Sequence, residues 1–283
     1  MKTCLSIAGF DGSGGAGLQA DLKTFAALGC YGTTVLTALP IQNTLGVRHS
    51  YSLPLKSIQE QLQAIFEDIP PDAIKIGMLF SEEIIHCVAD YLELHGKHIP
   101  IILDPVMVSK NNNPLLQESA VASLKKRLIP LATLITPNLP EAIALVGQET
   151  DAMILGKKLL SLGSSAILLK GGHGEGSMSN DLYLSNTEEV YWLKSPRVIS
   201  RNTHGTGCTL SAAIAAFLAE GFSLVDACWK GKEYLFHAIE KGKDYSLGKG
   251  CGPVHHFYHG ETLFQSLKET LPVVVTLEGN KKC

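Results

Sequence analysis

Short β-branched or apolar runs alternate with stretches of helical periodicity through most of this chain. That alternation limits the folds open to it. Residues 4–8 form an apolar run, followed by a glycine-rich loop over residues 9–17 and a helix face of Leu18, Leu22, Phe25 and Ala26. A second strand is expected over residues 33–39. Ile58, Leu62, Ile65 and Phe66 mark a helix, residues 73–79 a strand and residues 82–95 a helix. Residues 99–103 read as a buried strand that stops at Asp104-Pro105. Leu124, Leu128 and Leu131 give another helix face, and residues 133–136 a strand ended by Pro137. A helix over residues 152–162 then precedes a strand over 166–169 that runs into Lys170. Residues 182–184 and 189–193 read as a hairpin pair, followed by a helix opening near Cys208 and another from Leu224 to about Lys241. The expected class is α/β, with a mostly parallel central sheet and helices on both faces. Ligand-binding loops of such folds lie beyond the carboxyl ends of the strands. Asp11, Gln42, Met78, Asp104, Asn138 and Lys170 all fall at such ends.

A chain of 283 residues, 45% of them hydrophobic, can bury one large α/β core. With no repeat and no clear linker, residues 1–258 read as one domain and 259–283 as a C-terminal extension. Residues 271–277 of that extension are strand-like, and 278–283 read as a frayed tail. The net charge of −3, without a basic tract, argues against nucleic acid and anionic membranes as partners. Seven cysteines without CxxC pairs suggest free thiols in a reducing compartment. The first apolar run is too short for a signal peptide, and none approaches the roughly 18–20 residues of a membrane span. A soluble cytoplasmic protein is expected.

Residues 198–218 carry the clearest chemistry. Gly205, Thr206 and Gly207 lead into Cys208, and Leu210, Ala213, Ile214, Phe217 and Leu218 then fall on one helix face. The first turn of a helix offers free N–H groups and a positive dipole end, and glycines before it let backbone close on an anion. This reads as a phosphate cradle with a thiol at its rim. The same dipole lowers a cysteine pKa, so a thiolate is expected at Cys208. The plainer reading is a glycine turn before a buried helix, with Cys208 as a small core residue.

Gly12-Ser-Gly-Gly-Ala-Gly17 matches the spacing of a dinucleotide-binding loop. Such a site also wants an acid roughly 20 residues on, and no Asp or Glu occurs between Asp21 and Glu60. A P-loop fails as well, because no Lys-Ser or Lys-Thr follows the glycines. What remains is a glycine-lined wall close to a small ligand, or tight helix–strand packing. Asn138 and Glu141, three residues apart at a helix start, can share a hard cation through water. Their plainer roles are a cap and a first-turn acid, and Asp104 reads equally as a capping residue. Lys170 ends an apolar strand before two glycines, well placed for a phosphate or simply snorkelling from a strand end.

Together these stretches resemble a known family. Ser-Gly-Gly-Ala-Gly-Leu-Gln-Ala-Asp-Leu-Lys-Thr (residues 13–24), Lys-Ile-Gly-Met-Leu (75–79), Asp-Pro-Val-Met (104–107) and Ile-Thr-Pro-Asn-Leu-Pro-Glu-Ala (135–142) are similar to the bacterial hydroxymethylpyrimidine/phosphomethylpyrimidine kinases of thiamin biosynthesis. So are Leu-Lys-Gly-Gly-His (169–173), Asn-Thr-His-Gly-Thr-Gly-Cys-Thr-Leu-Ser-Ala (202–212) and Gly-Pro-Val-His-His-Phe (252–257). Phe10 and Gly12 depart from the pattern, which carries a smaller residue and a proline there. The resemblance implies a ribokinase-like fold and an ATP- and Mg²⁺-dependent kinase acting on the pyrimidine alcohol and then on its monophosphate. It implies Cys208 as catalytic base, the backbone of Gly205, Thr206, Gly207 and Cys208 as anion hole, and Asn138, Glu141 and Asp104 on the Mg²⁺ side. It places Lys170 and Thr203 against the nucleotide and Gln42, Ala16, Met78, Val106 and Asp11 around the pyrimidine. A homodimer is implied too. A pyridoxal kinase is the alternative within the class. Outside it stand a Cys208–His204 thiol nucleophile and a nucleotide-binding sensor without catalysis.

Overall fold

The computed structural model describes residues 1–107, 115–117, 119–172 and 176–260. Its strands are β1 (Thr3–Ala8), β2 (Tyr31–Leu36), β3 (Ala38–Asn43), β4 (Gly46–Ser52), β5 (Ala73–Ile76), β6 (Ile101–Leu103), β7 (Leu134–Ile135), β8 (Ala166–Leu169), β9 (Met178–Ser185) and β10 (Val190–Pro196). Eight of them form one sheet in the order β10-β9-β8-β7-β6-β5-β1-β2. Pairing is parallel from β2 through β8, and β9 and β10 join antiparallel at one edge. The chain steps from β1 outward to β2 and later returns to the other side of β1 with β5. This reversal opens a crevice beyond the carboxyl ends of β1 and β5, where such sheets bind ligands.

The helices are α1 (Gly17–Ala27), α2 (Leu55–Asp68), α3 (Glu82–His95), α4 (Ala120–Ser123), α5 (Leu139–Val146), α6 (Ala152–Leu160), α7 (Thr206–Ala219) and α8 (Leu224–Gly242). Strand side chains alternate between faces, and the core divides accordingly. Leu5, Ile7, Ile74, Ile76, Leu103 and Ile167 pack with α2, α3, α5 and α6. Cys4, Ala73, Ile102, Leu134 and Leu168 pack on the opposite face with α1, α7 and α8. Five buried alanines (Ala212, Ala213, Ala215, Ala216 and Ala219) let α7 approach the sheet closely. The expected layering of a parallel sheet with helices on both faces is what the structure shows. Among the described residues, no helix is long and apolar enough to cross a membrane.

The structure differs from the expectation in four places. The strand expected over residues 33–39 breaks at Thr37, whose N–H bonds Ala8 O and whose hydroxyl bonds Met78 O. Beyond it, β3 leaves the main sheet and pairs antiparallel with β4. β4 has no buried residue, so no apolar alternation marked it. β5 ends at Ile76 rather than Leu79, leaving Met78 free to line the crevice. Residues 124–131 form a π turn and a 3-10 turn carrying Pro130 instead of one α-helix. The strand-like residues 271–277 lie outside the described residues.

Candidate active site

The crevice is a cavity of about 340 Å³ at the carboxyl edge of the sheet. Of the residues expected around a pyrimidine, Ala16, Gln42, Met78 and Val106 line it. Gln42 comes from the β3–β4 hairpin and donates to Phe10 O at 3.3 Å. The hairpin tip is clasped by the loop before Pro253: Cys251 N–H bonds Thr44 O at 2.9 Å and Gly250 N–H bonds the Thr44 hydroxyl at 3.2 Å.

Asp11 is buried and stands behind the wall instead of lining the cavity. Its carboxylate accepts from Ser13 N–H and Oγ, from Gly15 N–H and Ala16 N–H, and meets His204 Nε2 at 2.8 Å. Burial opposes charge there, but the bonds from His204 and Ser13 outweigh it and hold the carboxyl down at about 2. Asp11 therefore shapes the glycine loop and ties it to the segment 193 residues later that carries His204. The Nε2 of His204 is taken up by Asp11, so only Nδ1 is left for any other partner.

Gly205 takes φ +79°, and a Cβ there would collide with Gly15 O. The first backbone bond of α7 runs from Thr209 N to Gly205 O. The N–H groups of Thr206, Gly207 and Cys208 precede it, and all three residues, like Gly205 and Thr203, line the cavity. A Cβ on Gly207 would stand 3.1 Å from Asp104 Oδ2 and 3.4 Å from Lys170 Nζ. Glycine thus brings the cradle against the charged cluster. Asn202 secures the approach by donating to the carbonyls of Gly242, Lys243 and Tyr245.

The thiolate expected at Cys208 is corrected by the structure. Enclosure by protein pushes the thiol up to about 11, although Lys75 and a bond from Gly17 N–H pull it down. Asp21 and Asp104 add to the upward push. The helix dipole is thus overridden by desolvation, and the ligand-free group is a thiol at neutral pH.

Across the cavity, Lys170 Nζ lies 2.8 Å from Asp104 Oδ1 and 3.9 Å from Glu141 Oε2. Thr136 Oγ1 also donates to Asp104. Burial works against a charged Lys170, but Asp104 and Glu141 raise its pKa. Asn138 and Glu141 form a capping box on α5: Asn138 Oδ1 accepts from Glu141 N–H at 2.9 Å, and Glu141 Oε2 accepts from Asn138 N–H at 2.8 Å. The plainer capping role is therefore present. Burial nevertheless pushes the Glu141 carboxyl up to about 7, against the opposing pull of Lys170. Two carboxylates sharing one lysine form an oxygen-rich corner suited to a hard cation that keeps its own waters. Among the described residues, no cluster of three His, Cys, Asp or Glu could hold a metal by itself.

Sequence reading passed over two residues here. Lys75 interrupts an apolar strand and lines the cavity floor. Asp21 lies one turn from Leu18 on the apolar face of α1 and is fully buried. Isolated charges inside apolar patterns were the available signal.

A sheet of this topology, with an N–H cradle facing a lysine-bridged acid pair, defines a ribokinase-like small-molecule kinase. The sequence profile of the phosphomethylpyrimidine kinase family matches residues 11–255. The chain belongs to that family. It is 46% identical over 260 residues to the hydroxymethylpyrimidine/phosphomethylpyrimidine kinase of Salmonella typhimurium, covering 90% of this chain and 97% of the relative. The crystal structure of phosphomethylpyrimidine kinase from Clostridium difficile superposes with a TM-score of 0.73 at 41% identity, covering 84% of this chain and all of that one. The pyridoxal kinase of Staphylococcus aureus in complex with AMP-PCP and pyridoxal gives a TM-score of 0.82 at 33% identity, covering 92% of this chain and 95% of that one.

Proposed function

We propose that this chain transfers the γ-phosphoryl group of ATP to 4-amino-5-hydroxymethyl-2-methylpyrimidine and a second phosphoryl group to the resulting monophosphate. The observation that carries this reading is the single cavity that joins Gln42 and Met78 on one side to the cradle and Lys170 on the other. A pyrimidine bearing a 4-amino group presents a donor beside a ring-nitrogen acceptor, and the Gln42 amide offers the reverse pattern. Met78 and Val106 supply apolar walls for the ring.

Phosphoryl transfer demands alignment and charge neutralisation more than covalent participation. The acceptor oxygen bonds to the γ-phosphorus as the bond to the β–γ bridging oxygen breaks, and ADP leaves. The N–H groups of the cradle and the Lys170 ammonium receive the negative charge spread over the transferred group. Cys208, in the fraction that is ionised to thiolate, takes the proton of the hydroxymethyl group. Asp104, Glu141 and Asn138 would hold Mg²⁺ through its waters, and that ion would neutralise phosphate oxygens.

The superposition on a pyridoxal kinase favours one second reading, phosphorylation of pyridoxal. Steady-state assays with both alcohols decide between them. A kcat/KM for pyridoxal above that for the pyrimidine alcohol would reject the first reading, and turnover without nucleotide would reject both.

A further inference from the structure

Two stretches that carry the family resemblance, residues 13–24 and 75–79, hold charged side chains to which the proposed reaction gives no part. Asp21 and Lys75 are both fully buried. Lys75 Nζ meets Asp21 Oδ1 at 2.9 Å and Oδ2 at 2.7 Å. Ser6 Oγ donates to the same carboxylate. A buried ion pair is weak evidence for stability, since well-packed apolar side chains of similar volume often serve as well or better. The position of the pair is more telling than its strength.

Ile74 and Ile76 point into the core under α2 and α3, so Lys75 between them points to the opposite face. That face carries α1, which supplies Asp21, and α7, whose first turn supplies Cys208. Lys75 and Cys208 line the same cavity. The ammonium also runs past Gly77, where a Cβ would stand only 2.8 Å from Nζ. The glycine after β5 clears the space that the lysine head occupies.

We propose that Lys75, locked by Asp21 and Ser6, is a positioning residue for Cys208: its fixed positive charge opposes the negative charge on sulfur from which Cys208 accepts the acceptor's proton. The inference rests on the reading of Cys208 as base. Four charged groups face the sulfur: Lys75 on β5, Asp21 on α1, Asp104 after β6 and Lys170 after β8. Lys170 is engaged by Asp104 and Glu141. The pull of Lys75 on the thiol exceeds the push of Asp21. Burial opposes a charged Lys75, yet Asp21, Cys208 and Asp104 raise its pKa, so the cation persists.

The test pairs Lys75→Met with the double variant Lys75→Met/Asp21→Leu, which removes both charges and guards against an orphaned buried carboxylate. Iodoacetamide modification of the full-length, nucleotide-free protein is followed from pH 7 to 10, with the modified site resolved by peptide mass spectrometry. In the folded double variant, Cys208 should react at least about tenfold more slowly at pH 9, the effect of roughly one pKa unit. Cys251, outside the pair, should react as in the unaltered chain. The first phosphoryl transfer should lose kcat with little change in pyrimidine KM. Unchanged Cys208 modification in the folded double variant overturns the part given to Lys75 and leaves Cys208 as base untouched. Slowed modification with both transfers intact overturns the base reading, and the proposal with it.

Discussion

Replacing Cys208 by alanine should separate the two successive transfers. The first acceptor is a neutral hydroxyl, which gains from a base in the transition state. The second is a phosphate monoester whose second pKa is about 6, so near neutrality it is mostly dianionic already. In the ligand-free site the Cys208 thiol ionises at about 11. At pH 7 that is some four pKa units of deficit, or about 5 kcal/mol at 1.36 kcal/mol per unit. A base so rarely ionised leaves a kinetic signature. The first transfer should climb about tenfold per pH unit between pH 7 and 9, and the second should stay nearly flat. Positioned bases contribute ~10²–10⁴-fold, so Cys208→Ala should slow the first transfer by that order, remove its pH slope, and spare most of the second. Cys208→Asp should restore part of the first step, while its carboxylate repels the monophosphate and depresses the second. Each half-reaction would be run from purified acceptor, with ADP release followed across the pH range. Equal loss in both steps for Cys208→Ala would mean that the residue acts through packing or cradle shape, and the base assignment would fall.

Lys170→Ala and Glu141→Gln should lower turnover while calorimetry without nucleotide finds pyrimidine affinity nearly unchanged; abolished pyrimidine binding would count against placing them on the phosphate side. Gly205→Ala should destroy the cradle, because φ is +79° and a Cβ would strike Gly15 O; a folded variant with normal kcat would contradict this. His256 is held neutral by burial, its pKa lowered from 6.5 to about 4. The unfolded chain takes up a proton first as pH falls, so stability present above pH 6.5 should decline toward pH 4, by up to about 3 kcal/mol. Chemical denaturation of His256→Gln should show a flatter pH profile in that window, and an identical slope would refute the assignment.

The inner parallel strands β5 to β8 were legible because both their faces are buried and, Lys75 apart, their residues are apolar. β4 was not, because it is wet on both faces and its residues show no alternation. The corner of Asp104, Asn138, Glu141 and Lys170 could be read from polar residues that stop apolar strands or open a helix. The protonation of Cys208 could not, since it depends on enclosure by α1 and β5, far away in sequence. Asp11 misled for the same reason. Nothing local shows that its carboxylate turns to His204 rather than to the cavity.

The cradle closes where the loop after β1, the segment before α7 and the segment around Pro253 meet. Gly15 faces His204 and Pro253, Gly205 faces Gly15, and Gly252 faces Asn202, each with no room for a side chain. Synthesis proceeds from the N-terminus, and contacts of such long range form late. A chain cut before Gly252 still contains the Gly-Thr-Gly-Cys turn, Lys170 and both acids, and Asp11 still ties His204, but it lacks the Gly252 carbonyl that accepts from His204 N–H. The turn is thus held from two sides, by the loop after β1 and by the segment before Pro253.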